Sequence, residues 1–182
     1  MTAYPIPRPV SGDVIDLVLD DHRLFESLLR EMRDSSSDRV AAREAFAAVL
    51  VAHGEAEEDK VYPRLRRKQA ITADEEEHGE EEHAEINEAL LALLECKGTD
   101  TQKFDDAVEK MNEVLQHHLT EEELTILNPA REEVPEKERK ALGAAFLEAR
   151  GQHLDAGVDV ETVRALVERA HDEGLLPPDE EE

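Results

Sequence analysis

The sequence is poor in aromatic residues and in positive charge. Tryptophan is absent, there are two tyrosines and four phenylalanines, and 46 acidic residues outnumber 21 lysines and arginines. The formal net charge is −25, and no basic stripe is present that could displace counterions from phosphates. We therefore expect neither nucleic acid nor a membrane surface among the partners of this protein.

Cysteine and long apolar segments are scarce as well. Cys96 is the single cysteine, which excludes an intramolecular disulfide. No positively charged leader precedes an apolar segment, and no apolar run has the length of a membrane-spanning helix. These absences predict a cytoplasmic protein.

Alanine, leucine, valine and glutamate dominate the remaining residues, a composition typical of helix bundles. Apolar residues recur every three or four positions in four long segments separated by polar turns. The first predicted helix runs from a cap on Ser11 to near Arg33, and the second from the DSSSD turn to near Arg67. The third begins within the acidic EEEHGEEEH segment and ends near Lys97, and the fourth runs from a cap on Thr99 to Asn128–Pro129. Long helices joined by short turns predict an all-α, up-down antiparallel four-helix bundle.

The predicted domain boundaries follow from the same pattern. Residues 1–10 form an extended arm because prolines disfavour a helix there, and residues 11–130 form the bundle. Residues 131–174 form a C-terminal extension of one or two further helices, the second of them capped by Asp159. Residues 175–182 form a disordered acidic tail. The apolar residues of the extension either cover the bundle or pair two protomers as a homodimer.

Ionisable residues interrupt the apolar faces of all four bundle helices. They are His22, His53, Glu57, His83, His118 and Glu122. Each glutamate follows a histidine by four positions, so each pair shares a helix face and can bind one ion. The histidines lie roughly twelve to eighteen residues from the adjoining turns, which at about 1.5 Å per residue puts them at a similar level of the bundle.

The fourth helix distinguishes between two neighbouring histidines. Met111 and Leu115 belong to its apolar face, and one residue rotates a helix by about 100°. His118 therefore faces the core, whereas His117 points sideways.

Six buried ionisable side chains need a partner. A lone histidine on an apolar face is usually a hydrogen-bonded core residue, but two His-x-x-x-Glu pairs and two further histidines reverse that expectation. Burying an unpaired carboxylate costs several kcal/mol of free energy, unless the group takes up a proton and becomes neutral. A bound metal removes this cost. Imidazoles with two potentially bridging carboxylates suit a pair of transition metals better than tetrahedral zinc. We predict two non-haem iron ions, with manganese as the second choice.

The order of these motifs resembles the hemerythrin-like, HHE cation-binding proteins of bacteria. It runs from Asp-His22 through His53-x-x-x-Glu57-Glu leading to VYP and Glu-His83-x-x-Ile, to His118-x-x-x-Glu122-Glu leading to ILNPAR. The resemblance covers about residues 11–150. It implies that His22 and His53 bind one iron, that His83 and His118 bind the other, and that Glu57 and Glu122 bridge the two.

One position departs from the family pattern. Oxygen-carrying members have a further histidine four residues before the position of His83, and here that residue is Gly79. His78 is one position away and reaches the metal only if its helix is distorted there. Tyr62 is interpreted as a structural, helix-ending residue, with approach to the metal as the alternative. Ligation by His78, His117 or Tyr62 is left open by the sequence.

Other acidic residues receive a simpler interpretation. Glu58 and Glu123, next to the proposed bridging glutamates, are expected to be mostly solvated. A ferritin-like site needs Glu-x-x-His on two different helices, and among the four predicted bundle helices this spacing occurs only in the third.

The missing ligand implies an open position on one iron, where O2, peroxide or NO could bind. This departure favours redox reactivity over reversible oxygen carriage. We predict a diiron protein that binds or reacts with these molecules, with catalase-like peroxide removal or another detoxification as the leading function. The alternative is non-catalytic binding of O2 or NO for sensing, storage or delivery.

Overall fold

The computed structural model describes residues 3–177, and their regular secondary structure is entirely helical. The α-helices are α1 Val14–Arg33, α2 Arg39–Ala56, α3 Tyr62–Arg67, α4 Ala73–Leu94, α5 Gln102–Glu122, α6 Asn128–Glu133, α7 Glu136–Ala156 and α8 Val160–Asp172. Two π-helical segments, Glu57–Val61 and Glu123–Leu127, join α2 to α3 and α5 to α6. The predicted all-α class is confirmed.

Side-chain caps fix where the long helices begin. Asp13 accepts a hydrogen bond from the backbone of Ile15 at the start of α1, and Thr101 does the same for Phe104 at the start of α5. The predicted caps on Ser11 and Thr99 are therefore wrong by two residues each. The cap on Asp159 is confirmed. Aspartate, threonine and serine can all cap a helix, so residue type alone does not show which of several neighbouring residues is the cap.

Four long helices surround the main core. Helix α1 packs against α2 and α5, while α4 packs against α5 and α2. Fully buried side chains from each of the four fill the space between them, namely Phe25, Phe46, Leu90, Phe104 and Met111. Every one of these helices therefore has a face directed to the same interior.

The C-terminal helices cover this core. Helix α7 packs against α1 and α2, and α8 packs against α4. Phe146 of α7 and Val163 of α8 are fully buried among residues of the same chain. Their apolar faces thus have an intramolecular partner, and a homodimer through these helices stays a prediction.

The π-helical segments correct the expected end of the fourth helix. Asn128 and Pro129 were expected to stop it, but the helical path continues through the π segment into α6. A proline lacks the amide hydrogen and clashes with the carbonyl four residues earlier. The wider π turn before Pro129 accommodates both effects, and a second π turn precedes Pro63 in the same way. Such segments occur frequently at functional sites.

The chain ends of the described region lie against the helices. Leu176 is buried in a small apolar cluster with Ala84, Val167 and Ala170. The remaining part of the predicted acidic tail, residues 178–182, lies outside the described residues.

Within residues 3–177, no helix combines the length and apolar character needed to cross a bilayer.

Two glycines of α7 allow a matched test of the packing between α7 and the residues before α1. A Cβ atom on Gly143 would collide with the carbonyl oxygen of Gly12, whereas one on Gly151 would meet no atom within 4 Å. We expect Gly143→Ala to lower the free energy of unfolding by about 1–3 kcal/mol through overpacking. We expect Gly151→Ala to raise it by about 0.5–1 kcal/mol, because alanine loses less backbone entropy in a helix. Urea denaturation measures both, and equal effects would contradict this packing.

Candidate metal centre

All six predicted ligands lie together in the interior. His22 comes from α1, His53 from α2, His83 from α4, and Glu57 begins the first π segment. His118 and Glu122 come from α5. Their side chains are buried, with exposed fractions between 0% for Glu57 and 5% for His83. Helix periodicity thus correctly indicated that these six side chains turn inward, including the choice of His118 over His117.

Glu57 lies between two histidines of different helices. Its Oε1 is 3.0 Å from Nε2 of His53, and its Oε2 is 3.2 Å from Nε2 of His83. Each carboxylate oxygen therefore faces a separate imidazole nitrogen. This is the geometry in which one carboxylate can contact two cations.

Glu122 occupies a comparable place on the opposite side. Its Oε2 is 3.1 Å from Nε2 of His22 and 3.6 Å from Nε2 of His118. The donor atoms form two groups whose members all lie within 4.8 Å of one another, namely His22, His53, Glu57 and Glu122, and Glu57, His83 and His118. Glu57 belongs to both groups, so the two potential cation positions adjoin.

A second carboxylate orients each histidine from the outer side. The Nδ1 atoms of His22, His53, His83 and His118 lie 3.1, 3.0, 2.8 and 2.8 Å from Glu123, Asp21, Glu58 and Glu82, respectively. Because an ionised carboxylate can only accept a hydrogen bond, each Nδ1 donates. In the neutral imidazole this leaves the Nε2 lone pair free and directed inward, the usual arrangement of a metal-binding histidine.

These outer acids were missed or misread in the sequence. Glu58 and Glu123 were expected to be mostly solvated. Their side chains are 25% and 47% exposed, but each also hydrogen-bonds a histidine on another helix, which that expectation missed. Asp21 and Glu82 were not singled out. The available signal was that each outer acid is the chain neighbour of an inner residue. The sequence could not show that its partner lies on a different helix.

Several inner atoms have no hydrogen-bond partner. They are Nε2 of His22, His53 and His118, Oε1 of Glu57 and Oε2 of Glu122. Some of these nitrogens and oxygens are only 3.0–3.1 Å apart but lie outside hydrogen-bonding geometry. Buried polar atoms are rarely left unsatisfied, and facing lone pairs repel unless a proton or a cation lies between them. The donor set therefore fits a cation that accepts both nitrogen and oxygen.

The pKa values of these buried groups depend strongly on one another. Burial lowers the pKa of His53, but Glu57 and Asp21 outweigh it and raise the pKa to about 10. Burial raises the pKa of Glu57, but His53 and His83 outweigh it and hold the pKa well below its usual range. Protons therefore neutralise the cluster when no cation does, and cation binding must displace them.

Comparison with known families decides the identity of this fold. The protein-family model described as Hemerythrin HHE cation binding domain matches residues 13–130. The chain belongs to this hemerythrin family. The matched span contains all six inner residues, their four outer acids and both π segments.

Among curated proteins, a DNA nickase from Nostoc sp. (strain PCC 7120 / SAG 25.82 / UTEX 2576) is 25% identical to the chain over 157 residues. The match covers 80% of this chain but 44% of that protein, so the chain spans less than half of that relative's length. No solved structure matches the chain.

The residues beyond the matched hemerythrin domain also support the cluster. Arg150 of α7 is buried and binds Asp21 with two nitrogens, Nη2 at 2.7 Å and Nε at 2.9 Å. Its third hydrogen bond goes to the carbonyl oxygen of Pro7 at 3.0 Å. Burial raises the pKa of Asp21, but His53 and Arg150 outweigh it and lower the pKa. Asp21 thus stays ionised and holds His53 in place.

Tyr62 corrects another interpretation. The sequence favours a structural residue that ends a helix, with approach to the metal as the alternative. The structure agrees with the alternative, because Tyr62 is fully buried and its hydroxyl enters the cluster. The hydroxyl oxygen is 2.9 Å from Oε1 of Glu122 and 3.4 Å from Nε2 of His83. A Cβ on residue 79 would meet the ring at 3.0 Å. Gly79, which stands where a further histidine was expected, therefore leaves space for the tyrosine ring.

The other two histidines left open by the sequence lie outside the inner cluster. His78 lies within the regular helix α4 and its side chain is 53% exposed, while that of His117 is 63% exposed. No distortion of α4 turns His78 inward. Neither residue belongs to the groups of donors around Glu57.

The adjacent histidines of α5 give a direct test of the donor set. We expect His118→Ala to lower iron content at saturation by about half or more, because one of the two groups loses a nitrogen donor. His117→Ala, a change of the same size one residue away, leaves the content of tightly bound inner iron near that of the unmodified chain. Metal analysis after iron loading and removal of surface-bound ions with a chelator measures both. Equal losses in the two variants would contradict the assignment of the inner face.

Arg150 allows a test of the buried support. Removing one partner of a buried ion pair leaves an unpaired charge, so we expect Arg150→Ala to lower the free energy of unfolding by about 3–5 kcal/mol. Arg8 pairs with Asp155 on the surface, and Arg8→Ala changes stability by about 0–1 kcal/mol. Chemical denaturation of both variants makes the comparison, and a small effect of Arg150→Ala would mean that Asp21 needs no support from α7.

Proposed function

We propose that α1, α2, α4 and α5 form an up-down antiparallel four-helix bundle that holds two non-haem iron ions. His22 and His53 bind one ion, and His83 and His118 bind the other. Glu57 and Glu122 bridge them. The observation that carries this proposal is the set of buried Nε2 and carboxylate atoms that face each other without hydrogen bonds. Nitrogen and oxygen donors together suit iron, and the family is one of cation-binding domains.

The two donor groups are unequal. The group around His22 offers two histidines and two carboxylates, whereas the group around His83 offers two histidines and Glu57. Glu122 lies farther from the second position, 3.6 Å from Nε2 of His118 against 3.1 Å from Nε2 of His22, and that position adjoins the hydroxyl of Tyr62. We infer that a small molecule binds on this side.

A cleft reaches this side of the centre. Its volume is about 20 Å³, room for a molecule the size of water, and His53, His83 and His118 are among the residues that line it. The remaining walls include the apolar side chains of Phe25, Leu50, Val51, Ile86 and Leu115. Glu55, Glu58 and Asn87 also line the cleft, so its negative charge disfavours anions, while its apolar part admits small uncharged molecules such as O2, NO or hydrogen peroxide.

Tyr62 keeps a proton beside the same position. Burial, together with the charges of Glu122 and Glu57, raises the pKa of its hydroxyl well above the usual value. The hydroxyl therefore stays protonated at neutral pH and donates to Glu122. A proton held there can be shared with an oxygen atom that arrives through the cleft, as in general acid catalysis.

These features support peroxide disproportionation as the leading function. Two molecules of hydrogen peroxide give two of water and one of O2, so no further co-reactant is needed. Iron supplies redox and Lewis-acid chemistry when bound, and the chain supplies the cleft, the fixed imidazoles and the proton of Tyr62. Removal of another reactive oxygen or nitrogen species would use the same residues.

Non-catalytic binding of O2 or NO for sensing, storage or delivery is the second candidate. The apolar walls of the cleft favour it, because they suit a diatomic ligand as well as a peroxide. Action on DNA, the substrate in the name of the Nostoc relative, is not proposed. The chain covers 44% of that protein, and its net charge of −25 opposes contact with a phosphate backbone.

Oxygen evolution separates the two candidates. We expect iron-loaded protein to release O2 from peroxide over many turnovers, and Tyr62→Phe to slow this by at least about tenfold with iron content retained. Tyr4→Phe removes the only other tyrosine hydroxyl and serves as the control. A stable, reversible O2 spectrum without turnover would contradict the enzymatic function and support the carrier.

A further inference from the structure

A further His-x-x-x-Glu pair lies outside the inner cluster. His78 and Glu82 are four residues apart on α4, and His117 of α5 approaches the same carboxylate. Oε1 of Glu82 is 3.6 Å from Nε2 of His78 and 3.4 Å from Nε2 of His117. Both histidine rings are more than half exposed, whereas the Glu82 side chain is 7% exposed. Both exposed imidazole rings thus lie near the same carboxylate oxygen.

The two oxygens of Glu82 are not equivalent. Oε2 accepts the hydrogen bond from Nδ1 of His118, at 2.8 Å. Oε1 is buried and has no hydrogen-bond partner, although it faces both exposed rings. A buried acceptor without a partner is energetically unfavourable. This carboxylate oxygen is therefore available to a ligand that comes from the surface.

We propose that His78, Glu82 and His117 form an outer binding site for a divalent transition-metal ion. Two imidazoles and a carboxylate are a donor set that such ions favour. Donors about 2.0–2.2 Å from one ion lie about 3–3.5 Å apart, close to the two distances from Oε1 of Glu82. The exposed rings of His78 and His117 can rotate to complete the site, and water occupies the remaining positions.

The outer site adjoins the inner one through a single carboxylate. Glu82 binds the outer ion with Oε1 and orients His118 with Oε2, so an ion held there is one side chain away from the proposed diiron centre. Glu81 lies 3.7 Å from Nδ1 of His78, and the net charge of −25 attracts cations to the surface. We assign to this site the capture of iron before it enters the interior, a role that rests on the proposed function.

Cobalt titration tests the site itself. Iron-loaded protein, freed of surface-bound iron with a chelator, is titrated with Co²⁺ in excess Mg²⁺, which occupies unspecific acidic sites. Binding is followed by calorimetry and by the cobalt absorption spectrum. We expect the unmodified chain and the control variant His153→Ala to bind one additional Co²⁺ per chain. The double variant His78→Ala/His117→Ala binds it at least about tenfold more weakly. No additional Co²⁺ in the unmodified chain, or equal affinity in the double variant, would overturn the site.

Iron uptake tests the assigned role. Metal-free protein is mixed with Fe²⁺ without oxygen, and the double variant is expected to fill the inner centre at least about fivefold more slowly than His153→Ala. Equal rates would overturn the capture role. Iron content at equilibrium is measured in every protein and reports the inner centre separately. A chain that binds Co²⁺ at His78 and His117 but holds no inner iron would refute the proposed function and leave the outer site standing.

Discussion

Unshielded lone pairs in a buried space are the constraint on which this structure depends. Glu57 has one carboxylate oxygen 3.0 Å from a nitrogen of His53 and the other 3.2 Å from a nitrogen of His83, and the carboxylate is fully buried. Such a group is tolerated in an apolar core only if positive charge compensates it. Protons can do so, as the raised pKa of His53 shows. A pair of cations does so with the same donors and also explains why Nε2 of His22 and of His118 lack hydrogen-bond partners.

The outer acids make that interior rigid. Each of the four accepts a hydrogen bond from Nδ1 of one imidazole. Each also adjoins an inner residue in sequence, and the imidazole that it holds lies on a different helix. The helices are thus connected in pairs through the site, and Arg150 extends the connection to α7 and to the arm around Pro7. Metal-site geometry depends on such support as much as on the ligands. The C-terminal extension, which lies beyond the matched family domain, therefore belongs to the architecture of the centre.

Periodicity predicted the inward-facing residues because it is a local property of a helix. His118 follows Met111 and Leu115 on one face, and the sequence alone places it inside and His117 outside. The partners of Asp21 and Glu82 were beyond this reasoning, because they depend on how helices pack. The π turns before Pro63 and Pro129 were also missed. A proline signals a helix end or a widened turn equally well, and only the surrounding packing selects the second. Tyr62 enters the site because its ring rests on Gly79, a contact between positions that no spacing rule connects.

Anomalous diffraction at the iron absorption edge, from crystals of iron-loaded protein, tests the central claim most directly. Two adjacent peaks are predicted, one between His22 and His53 and one between His83 and His118, with Glu57 and Glu122 contacting both. Absence of anomalous density among these side chains, with their nitrogens and oxygens joined instead by ordinary hydrogen bonds, would contradict the account.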